Sequence, residues 1–248
     1  MKQPRGGYVN PRTLRVQYPN GTGPEPLDHH SENVSPILVG LAVDYLTRVA
    51  VGGYPLEAFK VSLRGARRVG ADAMARAEAD VNGMTAGRVD AATIAAALRL
   101  SSFDVAARND LALYRPDAQT SPDATTTRRI GTMVDRAVSF FESQGGITLA
   151  GFTFLGGYTE TVDSGDADFT TPGVLWDMKV SAAPPTSKQT LQLLIYYLLG
   201  QHAFEDELAI LEEMGIFNPR LNTAWRVRGD SIPRATIAEV SRDVIGYT

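Results

Sequence analysis

The hydrophobic period of this chain changes at Gly145, and that change limits what the chain can fold into. Up to Phe141, apolar residues recur at helical spacing; beyond Gly145 they alternate or run in short β-rich blocks. "SPILVGLAVDYLTRVA" opens on Ser35-Pro36 and sets Ile37, Leu41 and Tyr45 along one helical stripe. "PLEAFKVSLRGARRVGADAMARAEADVNG" continues the texture through glycine breaks to a stop at Asn82-Gly83. Two further helices are expected in "DAATIAAALRLSSFDVAARN" and "TTTRRIGTMVDRAVSFFESQGG". Three short strands follow, in "ITLAGFTFLGGYTETV", "DADFT" and "VLWDMKVS". A long helix in "SKQTLQLLIYYLLGQHAFEDELAILEEMG", broken near Gly200, precedes a strand in "NTAWRVR" and a last helix over 233–245. This order predicts an α/β (α+β) fold, a mixed central sheet flanked by helices with an N-terminal helical part. The expected division is an arm over 1–34, a helical region over 35–125 packed on the core, and the core over 126–248.

The chain has 248 residues, 44% of them hydrophobic, enough for one large domain or two small ones. No apolar run approaches the roughly 18 residues of a membrane span, so no membrane partner is expected. The first residues lack the apolar core of a secretory signal and read as a loosely packed arm turning on Pro19, Asn20, Gly21 and Gly23. The absence of cysteine excludes disulfides and thiolate metal sites and fits a cytoplasmic chain. A formal net charge of −4 argues against indiscriminate phosphate binding but leaves room for a basic groove around an acidic centre. The oligomeric state is left open, a homo-oligomer or a larger complex included.

The charges within the strands carry the chemistry. Alternation in "VLWDMKVS" puts Val174, Trp176, Met178 and Val180 on one face, and Leu175, Asp177 and Lys179 on the other. A tight turn in "TTPG" sets Asp168 directly opposite Asp177. A hairpin loop at Asp163-Ser164-Gly165 would place Glu160 opposite Asp168, giving a row of three acids with Lys179 beside it. Directly opposed side chains lie about 4.5–5.5 Å apart at Cβ, where like charges repel. Such a row calls for a cation: Lys179 supplies one positive charge, and a hard divalent ion such as Mg²⁺ or Mn²⁺ the rest. The competing reading is a set of solvated charges on the wet face of an antiparallel sheet. In the next helix Gln192 and Tyr196 stack on one face, with Gln189 a turn earlier. The arginines at 64, 67 and 68, at 128 and 129, and at 226 and 228 are candidates for phosphate contacts. His29, His30 and His202 show no metal-ligand spacing and receive no role.

Taken in order, Gly165-x-x-Asp168, Asp177-x-Lys179 and Gln192-x-x-x-Tyr196 resemble the core of the PD-(D/E)XK nuclease superfamily, and within it the RecB-like exonuclease branch. The resemblance covers about residues 140 to 228 and leaves the helical first half unmatched. It implies a restriction-endonuclease-like core that hydrolyses phosphodiester bonds with Mg²⁺ or Mn²⁺, acting on nucleic acid with DNA preferred over RNA. It further implies that Asp168 and Asp177 hold metal with the Met178 carbonyl, and that Lys179 positions or activates the attacking water. Gln192 and Tyr196 would complete the catalytic group. The second acid here is Asp, where Glu is commoner in the superfamily. A further acid in this branch comes from the helix before the first strand, where Glu142 stands, with Asp135 one face-repeat earlier; the register argument favours Glu160 instead. Two alternatives remain: a catalytically inactive nuclease-fold module for binding or assembly, and a phosphohydrolase of small nucleotides.

Overall fold

The computed structural model describes residues 3–247, which divide into two compact units. One holds residues 27–139 and is helical; the other joins the arm through Pro26 to the chain from Phe140 onward. The arm therefore belongs with the sheet, and the division falls at neither 34/35 nor 125/126.

In the helical unit, α1 (Pro36–Ala50) starts where Ser35 accepts from the Leu38 amide, a cap that satisfies an otherwise orphaned N–H. The glycine-broken stretch resolves into α2 (Pro55–Ala58), α3 (Lys60–Val69) and α4 (Ala71–Asn82), with Gly70 at φ 143° separating the last two. Asp90 caps α5 (Ala91–Ser101), and α6 (Asp104–Arg108) packs against α3. Gly65 permits that approach: a Cβ there would lie 2.0 Å from the Phe103 carbonyl oxygen. Asp104, 1% exposed, accepts from the Ser62 hydroxyl at 2.5 Å and from the Tyr45 hydroxyl, with Arg108 at 3.5 Å. α7 (Ala124–Ser143) runs through the boundary.

In the other unit a six-stranded mixed sheet has the order β1-β6-β5-β4-β3-β2. Its strands are β1 (Arg15–Gln17), β2 (Ala150–Phe152), β3 (Ala167–Thr171), β4 (Val174–Met178), β5 (Glu213–Asn218) and β6 (Thr223–Arg228). Strands β2, β3 and β4 form an antiparallel meander, β5 runs parallel to β4, and β6 and β1 are antiparallel additions. Two strands lie outside the expected set: β5, in a segment read as helix, and β1, in the supposedly loose arm.

The sheet is covered on both faces. Phe140 and Phe141, from the end of α7, pack on Trp176, Phe217 and Phe169. Gly215 makes room for Trp176, since a Cβ would sit 2.4 Å from its ring, and Arg226 lies over the same indole at 5.2 Å. On the opposite face α8 (Ser187–Gln201) sets Leu193, Leu194, Leu198 and Leu199 against Leu175, Met214 and Ile216. Burial of each such side chain stabilises by about 1.5–3 kcal/mol. α8 directly follows β4 and opens with a capping box between Thr186 and Gln189. It ends at Gln201, and α9 (Asp206–Ala209) leads into β5. The chain closes with α10 (Arg234–Glu239), extended by a π-helical turn over Val240–Ile245. Among the described residues no helix is long and apolar enough to cross a membrane.

Candidate active site

The site is built where β3 and β4 stop pairing. Gly173, at φ 77°, turns the chain tightly after Pro172, and the register runs Thr171–Val174, Thr170–Leu175, Phe169–Trp176. One step further the same register sets Asp168 across from Asp177. There the ladder gives way to a side chain: the Met178 amide donates to Asp168 Oδ2 at 2.7 Å. Lys179 then continues β4 by donating its own amide to the Phe217 carbonyl at 2.9 Å.

Asp177 lies beneath α8 rather than on a wet face, and only 3% of it is exposed. Lys179 Nζ donates to Asp177 Oδ1 at 2.7 Å. Asp177 Oδ2 is buried and has no hydrogen-bond partner among the described residues. Asp104, equally buried, has a hydroxyl donor on each oxygen, so burial alone does not explain the difference. Burial, and secondarily the Asp168 charge, push the Asp177 carboxyl up to about 6 against the pull of Lys179. For Lys179 burial acts downward but is outweighed by Asp177 and Asp168, which raise the ammonium to about 12. The pair thus favours the cation and penalises the anion. The ammonium side chain keeps 26% exposure and the carboxylate only 4%, so the carboxylate bears most of the desolvation.

Gln192 and Tyr196 of α8 reach the same place. Gln192 Nε2 donates to the Tyr196 hydroxyl at 3.1 Å. Burial raises the phenol, and the charges of Asp168, Asp177 and Lys179 all act on it. Phe154 packs against the tyrosine ring at 5.2 Å, and Gly165 lies beneath it, where a Cβ would approach within 3.2 Å.

Glu160 does not lie opposite Asp168, where a hairpin register would put it. β2 pairs Ala150 with Phe169 and Phe152 with Ala167, which puts Gly151, not Glu160, across from Asp168. The cause is the segment between β2 and β3, which is a loop and not a hairpin. The Tyr158 hydroxyl fixes it, accepting from the Phe154 amide at 2.9 Å and donating to the Gly165 carbonyl at 2.8 Å. Glu160 is carried out of the sheet and exposed. Glu142, on the last turn of α7, is exposed too. The charges acting on Asp177 are those of Lys179 and Asp168, with no contribution from either glutamate.

Three of the seven candidate phosphate contacts are engaged with acids. Arg226 bonds Glu213 at 2.9 Å, Arg228 pairs with Asp230 and Glu212, and Arg129 reaches Ser31 and Asp28. Elsewhere in the molecule the chain brings Asp28, His29 and His30 together, with one ligand atom from each lying within 4.8 Å of the others. Sequence spacing gave these histidines no common site; the turn that assembles them rests on the His30 amide donating to Asp28 Oδ1 at 3.0 Å. The group is solvent-facing, and Arg129 lies 3.6 Å from the same carboxylate, which offsets its charge.

Hard carboxylate oxygens, one of them buried without a donor among the described residues, form a donor set of the kind that suits a divalent cation, with an ammonium fixed beside it. No protein family, no curated protein and no solved structure matches this chain.

Proposed function

We propose that the chain is a divalent-metal-dependent nuclease that hydrolyses phosphodiester bonds, with DNA as the favoured substrate. The observation that carries this reading is the partnerless Oδ2 of Asp177, held in a buried position that a cation would relieve. Asp168 and Asp177 would hold Mg²⁺ or Mn²⁺, which when bound polarises a phosphoryl oxygen and lowers the pKa of a water. Lys179 stays protonated at neutral pH, and its ammonium stabilises negative charge developing on the phosphoryl oxygens. The amide of Met178, donating to Asp168 Oδ2, holds that carboxylate in place at the end of β4. Gln192 fixes the Tyr196 phenol, whose raised pKa keeps its proton available for donation to the substrate backbone. The bond formed joins water oxygen to phosphorus; the bond broken releases a sugar hydroxyl.

Incubating linear and plasmid DNA with the protein and Mn²⁺ tests the reading. Cleavage by wild type, lost on chelation and in Asp177→Asn, is expected; equal cleavage by both proteins sinks it. A second reading, a nuclease-fold module that binds without cutting, draws on the exposure of Glu160 and Glu142 away from the paired acids. Metal-dependent DNA binding with no product would favour it.

A further inference from the structure

A cavity of about 720 Å³ opens between the arm and the start of α8, and its lining carries no carboxylate. Arg5 and Arg12 line it from the arm, Trp225 from β6, and Pro184, Pro185 and Ser187 from the approach to α8. Both arginines are exposed, and neither has an ion-pair partner among the described residues. This sets them apart from Arg226 and Arg228, which are committed to neighbouring acids.

The helix end adds donors. The capping box consumes the amides of Thr186 and Gln189, while those of Ser187 and Lys188 belong to the first helical turn, which has no intrahelical acceptor. The positive end of the helix dipole therefore faces the same cavity that Arg5 and Arg12 line. The arm is held there by specific contacts. Thr190 Oγ1 donates to the Val9 carbonyl at 2.6 Å in a buried position, and Gly7, at φ 85°, packs so closely on Ser187 that a Cβ would lie 2.7 Å from its side chain.

Register fixes the distance to the acids. Asp177 pairs with Ile216, Ile216 with Trp225, and Trp225 with Val16, so all four share one row and one face. With neighbouring strands about 4.8 Å apart, Trp225 stands about 10 Å from Asp177 across the sheet. Ile216, between them in the row, is buried under α8, so a strand with its scissile phosphate at the acids would bring another of its phosphates to this cavity by passing around the start of α8.

We propose that the cavity between Arg5, Arg12 and the α8 N-terminus binds a backbone phosphate of the nucleic-acid strand, adjacent to the phosphodiester at Asp168 and Asp177. The proposal rests on the nuclease reading for its substrate. Guanidinium groups match phosphate bidentately, and the Trp225 edge with Pro184 and Pro185 supplies an apolar floor beside the charge.

The test measures fluorescence anisotropy of a labelled single-stranded DNA oligonucleotide on full-length Asp177→Asn protein, alone and with Arg5→Ala/Arg12→Ala added. Affinity should fall at least tenfold, and the slope of log affinity against log salt should flatten by about 0.7 for each phosphate that is no longer neutralised. Inorganic phosphate should displace the oligonucleotide from the Asp177→Asn protein at lower concentration than from the triple variant. Because both arginines are exposed, melting curves should overlay. Unchanged affinity and salt slope overturn the proposal; so does phosphate binding without oligonucleotide binding, which would assign the cavity to a small anion. Cleavage is scored separately on otherwise wild-type protein. Metal-dependent cutting with arginine-independent binding discards the cavity and keeps the nuclease. Arginine-dependent binding without cutting discards the nuclease and keeps the cavity as a strand-binding site.

Discussion

Folding moves the Asp177 carboxyl out of water and gives only one of its oxygens a donor. The free-energy consequence has a definite sign. A carboxyl whose pKa rises from 3.8 to about 6 on folding binds more protons in the folded state between those values. Stability therefore falls as pH rises through that window and stays lower above it. Asp177→Asn should flatten the slope and raise metal-free stability at pH 7 by on the order of 1–3 kcal/mol, while reducing cleavage to background. Urea titrations at pH 4 and pH 7 read this directly; a wild type as stable at pH 7 as the variant would refute it. Saturating Mn²⁺ should remove the slope in wild type, because a bound cation keeps the carboxylate ionised. Lys179→Met carries the opposite stability sign. It should lower stability at pH 7 by about 1–3 kcal/mol, moderated because Asp177 can take up a proton once its partner is gone. Cleavage should fall about 10²–10³-fold, the usual loss when one charge-stabilising donor is removed.

At the scale of elements, close approach decides where substitutions are tolerated. Gly65→Ala on α3 would gain about 1 kcal/mol in helix propensity. The new methyl, however, would meet the Phe103 carbonyl at 2.0 Å, which forces α3 and α6 apart. A net loss of about 1–3 kcal/mol is expected from denaturant midpoints, and a stabilised variant would contradict the packing described. The same scale explains what the sequence discloses. β4 and α8 are legible because "VLWDMKVS" alternates and "KQTLQLLIYYLLG" keeps a helical stripe, so Asp168, Asp177, Lys179, Gln192 and Tyr196 are found together. β5 is not legible: a strand parallel to β4 and buried on both faces loses alternation, and Glu212-Glu213-Met214 extends the helical pattern before it. Glu160 misleads for another reason. Its loop is set by the Tyr158 hydroxyl reaching Phe154 and Gly165, a side-chain contact that turn-residue rules do not encode. The cavity beside the start of α8 escapes notice because Arg5 and Arg12 sit in a segment whose prolines and glycines read as unstructured.

For the whole molecule, the arm is a structural member of the sheet unit. It contributes β1 and the buried Val9 and Leu14. Deleting the residues before Leu27 should lower the melting temperature and promote association, since the β6 edge loses its partner and the Thr190 hydroxyl its shorter bond, to the Val9 carbonyl. A fragment starting near Thr126, which lacks the arm, should likewise fail to stay soluble. A monomeric fragment melting like the parent would show that β1 is dispensable. The pairing of Arg15 with Arg226 has a further consequence in the order of synthesis. Of the six strands of this sheet, β1 is made first and must wait longest, because its template, β6, is made last of the six. Until the two ends meet, β6 offers an open row of backbone donors and acceptors to any other nascent chain. Refolding yield should accordingly fall with protein concentration, and a synthetic peptide of the arm supplied in excess should restore it.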